Sequence, residues 1–244
     1  MKTKTITPLL TLLFAGLIIS GCQKWEPVHG VRGAGPMVQR TYHVRTFDGL
    51  QVDVNARVNI VQAAQAPVVV RGQQNIHDIL EVRVINGVLL ISYKTQVWRH
   101  DRLEIDVSVP ELSLVSSFGS AEIRFIQPFT ADDLHLDVLG SGKISARQLA
   151  AKDIRARING SGTISLQGVT LSQQVNINGS GDYFAGELLA QDAIVNIFGS
   201  GNCNIHVNTR LHAAIHGSGS LYYTGNPNKV ETSVLGSGKV VKLQ

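Results

Sequence analysis

Seven Gly-Ser steps punctuate the second half of the chain, at Gly119, Gly140, Gly160, Gly179, Gly199, Gly217 and Gly236, each closing a run of alternating apolar and polar residues. The intervals are 21, 20, 19, 20, 18 and 19 residues. One short unit repeated end to end at this period is the signature of a solenoid, in which each copy buries its apolar face only by stacking on its neighbours.

Superimposing the copies on their first glycine separates inward from outward positions. Four residues after it stand Ile123, Ile144, Ile164, Tyr183, Cys203, Leu221 and Val240. Two before it stand Val138, Ile158, Ile177, Ile197, Ile215 and Val234, and four before it Leu136, Ala156, Val175, Val195, Ala213 and Thr232. The columns between them hold Asp137, Arg157, Asn176, Asn196 and Ser233, or His135, Arg155, Gln174, His212 and Glu231, with Ala214 and Ile194 as the exceptions. Strand side chains alternate between faces, so the apolar columns point inward and the polar ones outward. The fold expected is all-β, a parallel β-helix of about seven coils. At about 4.8 Å per coil it forms a rod roughly 30 Å long. The residue order of leucine-rich repeats and of calcium-binding nonapeptide repeats is absent.

Each coil has to turn sharply, and glycine takes positive φ without a Cβ clash. The corner serines Ser120, Ser141, Ser161, Ser180, Ser200, Ser218 and Ser237 are expected to form a ladder whose hydroxyls bond to neighbouring backbone groups, with Asn159 and Asn178 adding a short amide ladder. Only the first corner departs from Gly-Ser-Gly, with Ala121 at its third position. A serine nucleophile would need Gly-x-Ser-x-Gly on a strand-to-helix turn, and one copy rather than seven. The serines are read as architecture.

Ahead of the repeats the chain divides into three parts. Residues 1–21 have the form of a lipoprotein signal peptide: Lys2 and Lys4, an apolar stretch from Leu9 to Ile19, then Ile19-Ser20-Gly21-Cys22. That ending resembles the bacterial lipobox, which implies lipid on Cys22 and a membrane as partner. Gln23, where an aspartate would retain the protein in the inner membrane, points to the outer membrane. Residues 22–40, with Pro27, Gly30, Gly33, Gly35 and Pro36, read as a flexible tether. Residues 41–117 are β-rich but less regular; Asn86-Gly87 marks a two-residue hairpin, and Asn75 to Leu80 is a short helix.

A hydrophobic content of 43% against 16% charge excludes a disordered chain. Signal removal leaves 20 basic and 18 acidic side chains, with no basic stripe interleaved with aromatics, so nucleic acid is not an expected partner. With Cys22 lipidated, Cys203 stands alone in an inward column, as a small hydrophobe and not a reactive thiol. His212 and His216 are four apart, about 13 Å along a strand and too far to chelate. No metal or cofactor site is expected. Asp133, Asp153 and Asp192 share a column with Ser172, Arg210 and Lys229. Polysaccharide-cleaving β-helices carry carboxylates on one outer face, so a catalytic role would sit here. The alternative is a turn aspartate repeated because the turn is repeated. Leu139, Phe198, Leu235 and Tyr222 point outward, either as sticky spots for a partner or as the single exposed apolar residues that are ordinary on a protein surface.

Phe47-Asp-Gly-Leu-Gln-Val, the turn at Ile85-Asn86-Gly87-Val88-Leu89 and the Gly-Ser-Gly repeats together resemble the head GIN domain family, described as autotransporter adhesins, over close to 200 residues. That resemblance implies a right-handed β-helix on a secreted or lipid-anchored bacterial protein and supplies no activity. The expectation is a non-catalytic, lipid-anchored envelope protein displaying a binding surface to a glycan or protein. A carbohydrate-active enzyme and a periplasmic scaffold are the alternatives. The open end at Val240 to Gln244 leaves pairing of two copies as an option.

Overall fold

The computed structural model describes residues 30–244; the signal segment and Cys22 lie outside the described residues. The first half of the described chain contains β1 (Val31–Arg32), β2 (Met37–Tyr42), β3 (Gly49–Asp53), β4 (Arg57–Gln62), β5 (Val68–Gln73), α1 (Gln74–Ile79), β6 (Leu80–Ile85), β7 (Val88–Tyr93), β8 (Val97–Arg99), β9 (Glu104–Val109), β10 (Leu114–Gly119) and β11 (Glu122–Phe125). The second half contains β12 (Phe129–Gly140), β13 (Lys143–Gly160), β14 (Thr163–Gly179), β15 (Asp182–Gly199), β16 (Asn202–Gly217), β17 (Ser220–Thr224), β18 (Lys229–Gly236) and β19 (Lys239–Lys242).

The repeats stack as a parallel β-solenoid. In β13 a coil has three sides: Lys143–Ala146 after the corner, Leu149–Ala151, and Asp153–Gly160 before the next corner. Each lies in register on the same side of β14, with a bulge between Ala146 and Leu149. The same register runs from β12 to β18, pairing Gly140 with Gly160, Gly160 with Gly179, and onward to Gly236. The inward columns read from the sequence are buried from Ile123 to Leu221, and Cys203 is fully enclosed among them. Each enclosed isoleucine or leucine contributes about 1.5–3 kcal/mol relative to exposure.

The corners are held by backbone. Ser141 N donates to Gly119 O at 2.8 Å, and Ser161, Ser180, Ser200 and Ser218 repeat the bond at 2.9 Å. The expected hydroxyl ladder is corrected to one serine pair, Ser237 to Ser218 at 3.1 Å; the other corner hydroxyls face solvent. The amide ladder is present, with Asn178 donating to Asn159 at 2.8 Å, and a second rung joins Asn196 to Asn176 at 3.0 Å.

The stack also takes in four strands of the 41–117 region, out of sequence order. β10 and β11 lie on β3 and β4, and these lie on β7 and β9, which follow them in the chain. The hairpin at Asn86-Gly87 forms between β6 and β7, with Asn86 at φ 50°. Antiparallel β5, β2 and β6, with α1, close this end over the core. The tether expected over 22–40 is shortened, because β1 pairs with β8 and β2 with β5. At the other end the inward residues Val230 and Val234 of β18 stay 43% and 42% exposed. Among the described residues no helix is long and apolar enough to cross a membrane.

Candidate binding groove

Five residues past each repeat glycine, the side of the coil that follows the corner presents one outward position. In successive coils it is Arg124, Ser145, Ser165, Phe184, Asn204 and Tyr222, stacked by the parallel register. Large side chains flank two serines, so the middle of the column is a depression. The bulges after Ala146 and Ser165 lift the next residues into a wall of Arg147, Gln167 and Glu187. The result is a groove of about 790 Å³ crossing the coils from Glu122 and Ile126 to Phe184 and Asn204. Five stacked positions make it roughly 19 Å long at the inter-strand spacing.

Gly186 fits this wall because a Cβ there would stand 2.8 Å from Asn204 Oδ1. At one end Arg57 Nε donates to Glu122 at 3.0 Å, and Arg124 Nη2 donates to Asn59 Oδ1 at 3.0 Å. Arg124 Nε is buried without an acceptor. Arg147 and Glu187 face solvent and make no ion pair among the described residues. Phe184, 48% exposed, offers a flat apolar face at the other end. The groove combines neutral hydrogen-bonding groups, one aromatic plate and charges of both signs.

The aspartates do form one column: Asp133 pairs with Asp153, Asp153 with Ser172, Ser172 with Asp192 and Asp192 with Arg210. Ser172 bonds Asp153, and Arg210 grips Asp192 through Nε at 2.9 Å and Nη2 at 2.6 Å. That fork holds the Asp192 carboxyl below its usual range, the reverse of what a general acid on a glycosidic bond needs. These contacts are those of a structural ladder. Arg155, Gln174 and Ile194 complete a cleft of only about 140 Å³ beside it.

His212 turns to Glu231 at 3.4 Å, while His216 stacks on Phe198 with centroids 5.0 Å apart, so the two share no ligand. Among the described residues no group of three His, Cys, Asp or Glu could hold a metal ion. Burial raises the Cys203 thiol pKa far above its ordinary value, which keeps it protonated. Phe198, Leu235 and Tyr222 are exposed as the alternation requires, and Leu139 is half-buried.

The outward alternation points to Tyr222 and not to the groove, although the groove's signal is present as an outward column with serines between an arginine and a phenylalanine. By its column Tyr183 counts as a plain apolar residue. The structure shows the Tyr183 hydroxyl donating to Gln173 Oε1 at 3.0 Å inside the core, and Gln173 Nε2 reaching His206 O at 3.3 Å.

Comparison with known proteins bears on most of the chain. The family model described as "Putative auto-transporter adhesin, head GIN domain" matches residues 46–227. A solved structure described as a putative adhesin from Bacteroides fragilis is 22% identical and superimposes with a TM-score of 0.83, covering 88% of this chain and 100% of that one. One described as a putative lipid binding protein from Parabacteroides distasonis is 24% identical with a TM-score of 0.75, at 88% and 100% coverage. A putative adhesin from Parabacteroides merdae is 22% identical with a TM-score of 0.72, at 88% and 99% coverage. No curated protein matches the chain. The neighbours share the solenoid fold, none is described as an enzyme, and the extent of the family match means that this chain belongs to the head GIN domain family.

Proposed function

We propose that the protein is a non-catalytic, adhesin-like binding protein of the bacterial cell envelope, anchored to the outer membrane by lipid on Cys22, whose solenoid groove grips an extended glycan. The groove carries this reading. Its length across five coils suits a chain ligand and not a compact one, and its serines, Gln167 and Asn204 suit hydroxyl groups. Phe184 offers a plate for the apolar face of a sugar ring. Protein pockets orient polar ligands with a few such groups, and an aromatic face supplies contact area at little entropic cost.

The description of the Parabacteroides distasonis neighbour as lipid binding suggests an acyl chain as another occupant. Arg147 and Glu187 line this groove without an ion-pair partner, and an acyl chain would desolvate both, at a cost of about 1–3 kcal/mol or more for each group. A hydrated polar chain avoids that cost.

Screening the purified protein against bacterial and host glycans, followed by calorimetry, tests the proposal. Phe184→Ala should weaken a bound glycan up to about tenfold, the worth of an aromatic contact. Ser165→Arg should abolish binding by filling the floor while leaving the melting temperature unchanged. Glycan binding indifferent to both substitutions would place the ligand elsewhere, and binding to no glycan would refute the ligand class.

A further inference from the structure

The two-stranded ribbon of β1 and β8 stands apart from the main sheet. Such a ribbon has little stability of its own, and this one turns its largest side chain away from the core, with Trp98 66% exposed. Arg32 lies over the indole, its Cζ 4.7 Å from the ring centroid. Exposed Arg99 lines one depression with Trp98 and Asp53, and exposed Arg102 follows four residues after Trp98 in the chain, with Asp101 and the Arg102 partner Glu104 as further acids. Arg32 and Arg99 thus share one outward surface with Trp98, and Arg102 stands exposed just after β8.

The chain enters the described fold at this surface. A Cβ on Gly30 would stand 3.0 Å from Trp98 N, Val31 N donates to Gln96 O at 2.9 Å, and Gly33 N donates to Arg99 O at 2.7 Å. Cys22 is eight residues before Gly30, a span of at most about 28 Å when fully extended. A lipid on Cys22 therefore keeps the ribbon within that distance of the bilayer surface. Tryptophan favours the membrane–water interface, where its ring meets acyl chains and its N–H stays wet. Arginines add attraction to anionic headgroups.

We infer that the Trp98 ribbon is a membrane-contact site that seats this part of the fold on the phospholipid surface bearing its anchor, with Arg32, Arg99 and Arg102 meeting anionic headgroups. The inference rests on the proposed lipidation of Cys22. The seat fixes the orientation of the rod, so the groove is presented at a set angle to the bilayer and does not tumble at the end of a tether.

The test uses the full lipidated chain carrying Trp25→Phe, which leaves Trp98 as the sole tryptophan. It is reconstituted into phosphatidylethanolamine–phosphatidylglycerol vesicles with and without brominated acyl chains. Flotation reports anchoring, and bromine quenching of Trp98 reports seating. The expected result is a protein that floats, with blue-shifted Trp98 emission that brominated lipid quenches. Added salt or the pair Arg99→Gln and Arg102→Gln should relieve the quenching, because headgroup attraction is screened within about 8–10 Å at physiological salt. A protein that floats with Trp98 emission identical in the two kinds of vesicle overturns the seat and leaves the anchor standing. A protein that does not float overturns both.

Discussion

Gln173 is the residue that breaks its own column. Its register neighbours Ile154, Ala193 and Leu211 are buried apolar side chains, yet Gln173 is equally enclosed, at 1% exposure. Its amide is tolerated because Tyr183, ten residues on, supplies the hydroxyl it needs, and Ala193 above leaves room. Burial raises the phenol pKa well above its ordinary value, so Tyr183 stays a donor. Tyr183→Phe leaves the Gln173 oxygen unpaired and should cost about 1–3 kcal/mol; adding Gln173→Leu, which makes both partners apolar, should recover most of it. Urea denaturation of both variants checks this, and a double variant no more stable than Tyr183→Phe would show that the pair does not act as a unit. The corner gives a sharper contrast. Gly160 has φ +125°, and a Cβ there would stand 2.6 Å from Gly140 O. Gly160→Ala should therefore lose about 1–3 kcal/mol or more from strain, while exposed Ser161→Ala stays within about 0.5 kcal/mol; equal losses would refute the corner argument. The glycines were legible because the turn demands them in every copy. The Gln173–Tyr183 bond was not, because alternation tells inward from outward and says nothing about which inward residues meet across the core.

At the scale of elements the two ends of the stack differ. The repeats announced themselves through a two-residue alternation renewed every 18–21 residues. The end formed by residues 37–109 did not, because there stacking order departs from chain order: β7 and β9 slide beneath β3 and β4, and only long-range register decides that. The expected helix was legible in outline, and α1 spans Gln74–Ile79. It carries His77, 3% exposed, whose Nε2 bonds Val38 O at 3.1 Å and whose Nδ1 meets the Tyr42 hydroxyl at 3.2 Å. A neutral ring satisfies both contacts, donating to the carbonyl and accepting from the phenol. Burial holds the His77 pKa below its ordinary value, with Arg40 pushing the same way. A depressed folded pKa means that this stabilisation is complete above the unfolded value of about 6.5 and is lost as pH falls through the lower folded value. Acidification should therefore loosen β2 and α1 before it disturbs the coils. Amide exchange corrected for intrinsic rate should show β2 losing protection between neutral and mildly acidic pH, and His77→Phe should remove that dependence. Unchanged β2 protection across this range would exclude His77 as the sensitive group.

At the scale of the molecule, a groove shared by five coils belongs to no single repeat. Its floor comes from Ser145 and Ser165, its plate from Phe184 and its cationic end from Arg124, four residues dispersed through the sequence and aligned only by stacking. That is why the fold is legible in the repeats, while the site is legible only as an outward column that stacking turns into a groove. A solenoid this continuous also exposes little irregular backbone to a protease; cleavage is expected at the connection 225–228 between β17 and β18 and, from its Pro and Gly content, in the tether sequence that follows Cys22. An adhesin-like role requires the groove to face the medium. Protease added to intact cells should then release the solenoid at the residues before β1, with the fragment from β1 to β17 recovered as resistant. Cleavage only after the outer membrane is permeabilised would put the rod on the periplasmic side, remove adhesion as its role, and make the groove a receptor for an internal envelope glycan. The two outcomes assign the same groove to different ligands, so this measurement decides which glycans are worth screening.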